Sequence, residues 1–280
     1  MSKFAVFTMD VEAFSDTECI NNLAYPPDVD IADGLDRYID ILDKHGIKGT
    51  LFTVGSFAPK IQDKLEQYIK RGHRIALHSY DHMAPMLQSV EDFKQKTADA
   101  KRELEKMLGT EIVGYRAPCF SMDNSRLDVL RELGFKYDSS HLGFPARHTV
   151  ALDLSDFDER RCGVYEKNGF YEFGMSSGNL FGKSFPVSGG GYVRLSEWIF
   201  IRPLIHRFIK KNDYYVFYLH PFELTKKRIP FIRELKAYDK FYTQAGIKTY
   251  SYKIERIIRM LKKSGYEFIT FEKFMDILEK

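Results

Sequence analysis

Two histidines four positions apart, His78 and His82 in the run HSYDH, can present both imidazoles to one point if the chain turns helically after a strand, and so hold one metal ion. The pair alone is equally compatible with two histidines of no chemical role, so its meaning depends on its company. Asp10 and Glu12, in FTMDVEAF, stand one residue apart at the end of an apolar run. In an extended strand these carboxylates share a face, leaving one to bind a metal and the other to accept a proton. A solvated pair capping the helical region that follows is the plainer reading, but a hydrophobic strand running into two close acids is a poor surface pattern. Glu12, His78 and His82 together would form an open site with positions left for water and substrate, suited to zinc or a similar divalent ion. His220, in YVFYLHPFE, ends another apolar run and is either a general acid for a leaving amine or a core histidine at a strand end.

These side chains can act together only if strands deliver them to one edge. Short apolar runs predict strands at Phe4–Met9, Gly49–Val54, Arg74–His78, Ile112–Arg116, Tyr214–Leu219 and Phe268–Thr270. Amphipathic stretches predict helices at Ile31–His45, Ala58–Arg71, Val90–Leu108, Ser125–Leu133 and Tyr252–Ser264, with Gly46, Gly72, Gly109, Gly134 and Gly265 as their stops. The alternation implies an α/β fold on a mostly parallel sheet, and Asp10, Glu12, His78, His82, Arg116 and His220 all fall at or just after carboxyl ends of strands, where such folds assemble chemistry. From about 141 to 194 the rhythm lapses. We read that stretch as an elaboration of a single domain spanning 1–280, with the run Ser188-Gly189-Gly190-Gly191-Tyr192 as a tight substrate-facing turn. A phosphate cradle is the lesser reading, because the run lacks the lysine and helix of a P-loop.

The 280 residues are 44% hydrophobic and 29% charged, enough apolar material for one large core. A net charge of +3 is too small to imply nucleic acid as a partner. Cys19, Cys119 and Cys162 are odd in number and irregularly spaced, which fits a reducing compartment better than a disulfide framework. The first residues lack the long apolar core of a signal peptide and no run is long enough to cross a bilayer, so the expected location is cytoplasmic, with the oligomeric state left open. A basic stretch from Lys226 to Lys263 reads as a solvated helix face, or as a surface for a membrane or a lipid-diphosphate sugar.

Five motifs in order, FTMDVE, HSYDH, YRAPCF (Tyr115–Phe120), YDSS (Tyr137–Ser140) and YLHPFE (Tyr218–Glu223), resemble those of the polysaccharide deacetylases of carbohydrate esterase family four. The resemblance runs from Phe4 to near Thr270. The DVE spelling, with SGGGY and LHPFE, looks closest to the variant found with bacterial surface-glycan and exopolysaccharide genes. The resemblance implies a distorted (β/α) barrel of seven or eight strands. It implies hydrolytic removal of an N-acetyl group from an amino-sugar or oligosaccharide substrate, free, nucleotide-linked or lipid-linked. By position Asp10 matches the general base and Arg116 the arginine that pairs with it; Glu12, His78 and His82 match the ligands of a divalent metal ion, zinc first. His220 matches the general acid, Asp138 the carboxylate that orients it, and Ala117 the backbone amide that stabilises an oxyanion. Two departures stand out. Val11 separates acids that are adjacent in the common motif, and Ser139 and Ser140 occupy a region where the family usually has tryptophan. Two other classes remain: an amidohydrolase or deformylase of a small or lipid-linked amide, and a silent glycan-binding relative, the latter disfavoured because binding needs no paired acid and base.

Overall fold

The apolar run near the start becomes strand β1 (Lys3–Val11), buried along nearly its whole length. Its alternate residues enter two different cores. Phe4 and Val6 join one; Ala5, Phe7, Met9 and Val11 join the other. The first core fills the inside of a curled sheet and the second lies between that sheet and the helices around it, as the two-residue period of a strand requires. The structure is a computed structural model describing residues 2–280 except 18, 19, 21, 22, 28, 144–151, 181 and 182, so Cys19 lies outside the described residues.

The expected alternation follows as α1 (Ala32–Lys44), β2 (Thr50–Thr53), α2 (Gln62–Lys70), β3 (Arg74–Leu77), α3 (Val90–Leu108), β4 (Gly114–Tyr115), α4 (Asn124–Glu132) and β5 (Tyr137–Asp138). The five glycines expected to stop helices all adopt left-handed φ, from 63° to 92°. Beyond β5 the chain adds β6 (Asp158–Arg161), β7 (Val164–Lys167), β8 (Phe170–Phe173) and the hairpin β9 (Ser177–Leu180) with β10 (Lys183–Pro186). It continues through α5 (Gly190–Leu195), α6 (Trp198–Lys211), β11 (Tyr214–Phe217), α7 (Ala237–Gln244), α8 (Ile247–Lys263), β12 (Tyr266–Phe268) and α9 (Phe271–Leu278). None of β5, α5, α6, α7 and α9 was expected. Pro203 interrupts the pattern of α6, whose buried stripe is Ile201, Ile205 and Ile209, and α9 has only eight residues, too few for a clear period.

The main sheet has ten strands in the order β11, β1, β2, β3, β4, β5, β8, β7, β6, with β12 paired to the start of β1. Eight run parallel and the β6–β7 hairpin extends them antiparallel. The fold is thus the expected α/β barrel in a single domain, as a curled half-barrel lengthened by one hairpin. Irregular chain covers the outer edge of β11: Val216 N donates to Ser176 Oγ at 2.9 Å, and Tyr218 N donates to Ser188 O at 2.8 Å. The glycine run belongs to this closure and is not the substrate-facing turn expected of it. It is buried where α5 begins, and a Cβ on Gly190 or Gly191 would come within 2.7 Å of the Tyr218 hydroxyl or 2.5 Å of the Tyr242 ring. Only glycine permits that approach. No helix of the described residues is long and apolar enough to cross a membrane.

Candidate active site

The parity of β1 explains the spacing of the two acids. Phe4, Val6, Thr8, Asp10 and, just past the strand, Glu12 alternate with residues packed toward the helices, so Val11 is core and both carboxylates lie on the inner face. Likewise, β3 packs Ile75 and Leu77 outward and delivers His78 inward at its carboxyl end. The loop after β3 is not helical. Ser79 and His82 take left-handed φ of 62° and 56°, uncommon for non-glycine residues, and this brings the rings of His78 and His82 to 5.2 Å. Ligand atoms of Glu12, His78 and His82 lie within 4.8 Å of one another, and all three residues are buried. An ion with arms of about 2 Å fits such a group.

Two of the polar atoms here are left without partners. Glu12 Oε2 is 2.7 Å from His82 Nε2 but lacks hydrogen-bond alignment; it and His82 Nδ1 are buried without a hydrogen-bond partner. Burial would raise the Glu12 carboxyl, yet attraction to His82 and His220 outweighs it and lowers the pKa to about 2. Burial lowers His78 to about 4, which keeps its imidazole neutral as a ligand must be. Its Nδ1 lies 2.8 Å from the Arg116 carbonyl; donation there leaves Nε2 as the coordinating atom. For His82, burial is overcome by Glu12, and the pKa rises.

Arg116, fully buried after β4, reaches across the barrel to Asp10. All five of its donors are used. Nη1 donates to Asp10 Oδ1 at 2.7 Å and Thr8 Oγ1 at 2.8 Å, Nε to Ser139 O at 3.0 Å, and Nη2 to Ser139 Oγ at 2.9 Å and Met175 Sδ at 3.5 Å. The guanidinium also sits 4.1 Å from the Phe52 ring centroid. Its contact with Asp10 is therefore single, because the rest of its fork fixes it to Thr8 of the same strand and to two other chain segments, at Ser139 and Met175. His220 follows β11, on the face shared with Tyr214, Val216 and Tyr218, and 19% of its side-chain surface is open. Its Nδ1 is 3.2 Å from Glu223 Oε2, and its backbone N donates to the same oxygen at 3.0 Å. Burial would lower His220, but attraction to Glu12, the hydrogen bond to Glu223 and the charge of Asp10 raise it to about 9. Glu223 is held in turn by Arg194 of α5, whose Nε donates to Oε1 at 2.7 Å, with both side chains fully buried.

The sequence model of the polysaccharide deacetylase family matches residues 27–137, and that of a domain of unknown function (DUF3473) matches 141–276. Residues 27–137, two-fifths of the chain, are thus similar to the polysaccharide deacetylases. A peptidoglycan deacetylase of Helicobacter pylori is 23% identical over 107 residues, 38% of this chain and 36% of that protein, so the chain spans little more than a third of that relative. Among solved structures, a proposed polysaccharide deacetylase of Mycobacterium smegmatis is 17% identical and aligns over 99% of this chain and 91% of its own with a TM-score of 0.63. A pseudoenzyme of carbohydrate esterase family four from Bacillus anthracis is 12% identical and aligns over 98% of this chain and 66% of its own, with a TM-score of 0.56. These likenesses carry the deacetylase fold, which enzymes and pseudoenzymes share.

Two expected roles are corrected by the geometry. Asp138 does not orient His220. On β5 the Tyr137 ring joins the inner core and Ser139 meets Arg116, so Asp138 between them faces the other way, beside Glu172 of β8. There it accepts from Ser140 Oγ at 2.8 Å, while Glu172 Oε1 accepts from the amides of Ser140 and His141. Nor is the Ala117 amide poised for an oxyanion: it donates to Ser140 Oγ at 2.9 Å. The residue that does hold His220, Glu223, had a sequence signal. Histidine, proline, any residue, glutamate is a capping box with proline at its first helical position, and it predicts that the glutamate folds back on the histidine amide.

Proposed function

We propose that this protein is a metal-dependent hydrolase that removes an N-acetyl group from an amino-sugar-containing glycan or glycan precursor. One observation carries this reading: three buried groups of ligand type, two of their atoms lacking hydrogen bonds, stand beside both a carboxylate held by arginine and a histidine held by glutamate. A divalent ion on Glu12, His78 and His82, zinc by the donor set, would acidify the attacking water and polarise the amide carbonyl. Asp10, fixed by Arg116, accepts the proton of that water as its oxygen bonds to the carbonyl carbon. His220, protonated and turned by Glu223, donates from Nε2 to the amide nitrogen as the carbon–nitrogen bond breaks. Acetate and the free amine are the products: the water's second proton leaves as the acetic acid ionises, and Asp10 gives up the proton it took while His220 regains one, both through solvent.

The same fold occurs in a pseudoenzyme, so the fold does not argue for turnover; the pairing of a base with an acid does, since sugar binding alone needs neither. The deciding experiment combines elemental analysis with acetate release from N-acetylated chitooligosaccharides and peptidoglycan fragments. Wild type should carry close to one divalent ion per chain and release acetate, His78→Ala should lose both, and Asp10→Asn should keep the ion and lose turnover. A wild type that binds no metal and stays inactive after metal addition sinks the reading.

A further inference from the structure

Charge is unevenly divided along the chain. Residues 197–263 hold sixteen Lys and Arg against six Asp and Glu, although the whole chain has 42 against 39. The same stretch holds six of the twelve large hydrophobic side chains most exposed among the described residues: Ile199, Phe200, Phe231, Tyr238, Phe241 and Tyr252. Ile199 and Phe200 are 73% and 72% exposed on the first turn of α6, and Arg202, Arg207 and Lys210 continue along its solvent side. Phe231, 72% exposed, follows the exposed run Lys226, Lys227 and Arg228.

Contacts join α6 to α8 and α7 to the chain around Phe231, and α7 leads into α8 across Ala245 and Gly246. The Arg256 guanidinium of α8 lies 5.0 Å from the Trp198 ring of α6 and 4.8 Å from Tyr252. Lys240 of α7 lies 5.0 Å from the Phe231 ring, and Gln244 donates to the Ile229 carbonyl. Lys253 of α8 donates to the carbonyls of Arg194 and Ser196, just before α6. Every residue of this surface lies within the region matched by the domain of unknown function.

We infer that this surface docks on an anionic lipid bilayer. Exposed aromatic and aliphatic tips interleaved with lysine and arginine satisfy both parts of an interface: the rings enter the acyl boundary while the cations meet lipid phosphates. A soluble polyanion would meet the cations and leave Ile199, Phe200 and Phe231 in water. A second copy docked face to face would set one basic surface against another. The inference stands apart from the proposed reaction, since binding is read without turnover.

The full chain is sedimented with vesicles of phosphatidylcholine alone and of phosphatidylcholine mixed with phosphatidylglycerol. Binding should favour the anionic vesicles by at least about tenfold, and Ile199→Ser with Phe200→Ser, or Phe231→Ser with Phe241→Ser, should each weaken it by at least about tenfold. All four positions are exposed, so circular dichroism and melting should not change. Equal binding to both vesicles, no binding to either, or anionic binding untouched by the serine pairs overturns the proposal. So does light scattering that shows a dimer lost in the serine variants, or heparin binding as tight as vesicle binding.

Discussion

At the scale of single residues the site depends on where buried charges find partners. Glu223 gives one oxygen to the ring and amide of His220 and the other to Arg194, so it fixes both the direction of the imidazole and its proton. Glu223→Gln should keep an acceptor for Arg194 but lose the charge, lowering the His220 pKa from about 9 and reducing kcat by roughly ten- to a thousandfold with a smaller effect on KM. Nitrogen-15 NMR of the histidine rings reads the titration directly. The sign is that of a base losing an anionic neighbour: the imidazolium gives up its proton at lower pH. Asp138→Asn should leave that titration in place. If Asp138→Asn shifts it and Glu223→Gln does not, Asp138 and not Glu223 is the carboxylate that governs His220.

At the scale of elements, the direction of a side chain along a strand decides its chemistry. Because β5 and β8 are parallel neighbours with Asp138 opposite Glu172, two carboxyls meet on the face turned away from His220. Burial raises Asp138 to about 6; burial and then repulsion from Asp138 raise Glu172 well above the ordinary carboxylate range. At least one proton therefore stays with the pair at mildly acidic pH. A folded pKa above the unfolded one means that the pair contributes its stability below the unfolded value, near 4, and loses it as pH rises through the folded value. Stability should thus fall between about pH 4 and 7 from this source. Glu172→Gln, which mimics the protonated acid and keeps an acceptor for the Ser140 and His141 amides, should flatten that part of the curve of Tm against pH. An unchanged slope would mean that the two carboxyls do not share a proton. The same pair holds the turn whose Ser139 and Ser140 engage Arg116 and the Ala117 amide, so β5 supports the site from behind.

At the scale of the whole molecule, the barrel is completed by side chains where backbone pairing stops. Arg161, next to the turn between β6 and β7, donates to Asp213 Oδ2 at 2.9 Å and to Ser2 O at 2.8 Å, and packs over the rings of Phe4 and Phe274. Arg161→Ala should cost about 1–2 kcal/mol by thermal or urea unfolding without altering metal content. A loss near zero would show that the rings alone complete the barrel. The motifs, the alternation of strand and helix and the glycine stops were legible in the sequence because each depends on residues close together in the chain. Strand parity even accounts for Val11 between Asp10 and Glu12. The chemical inventory was legible in the same way: two imidazoles and a carboxylate of ligand type, with a base and an acid nearby. The partner of His220 was not settled by family position, because β5 has only two residues and offers no period from which to read which way Asp138 points. The turning of Asp138 away from His220, the burial of the glycine run against Tyr218 and Tyr242, and the gathering of basic and aromatic residues from α6, α7 and α8 follow only from tertiary structure. The reason is that all three depend on which faces the curled sheet and its helices turn toward one another, and local periodicity carries no record of that.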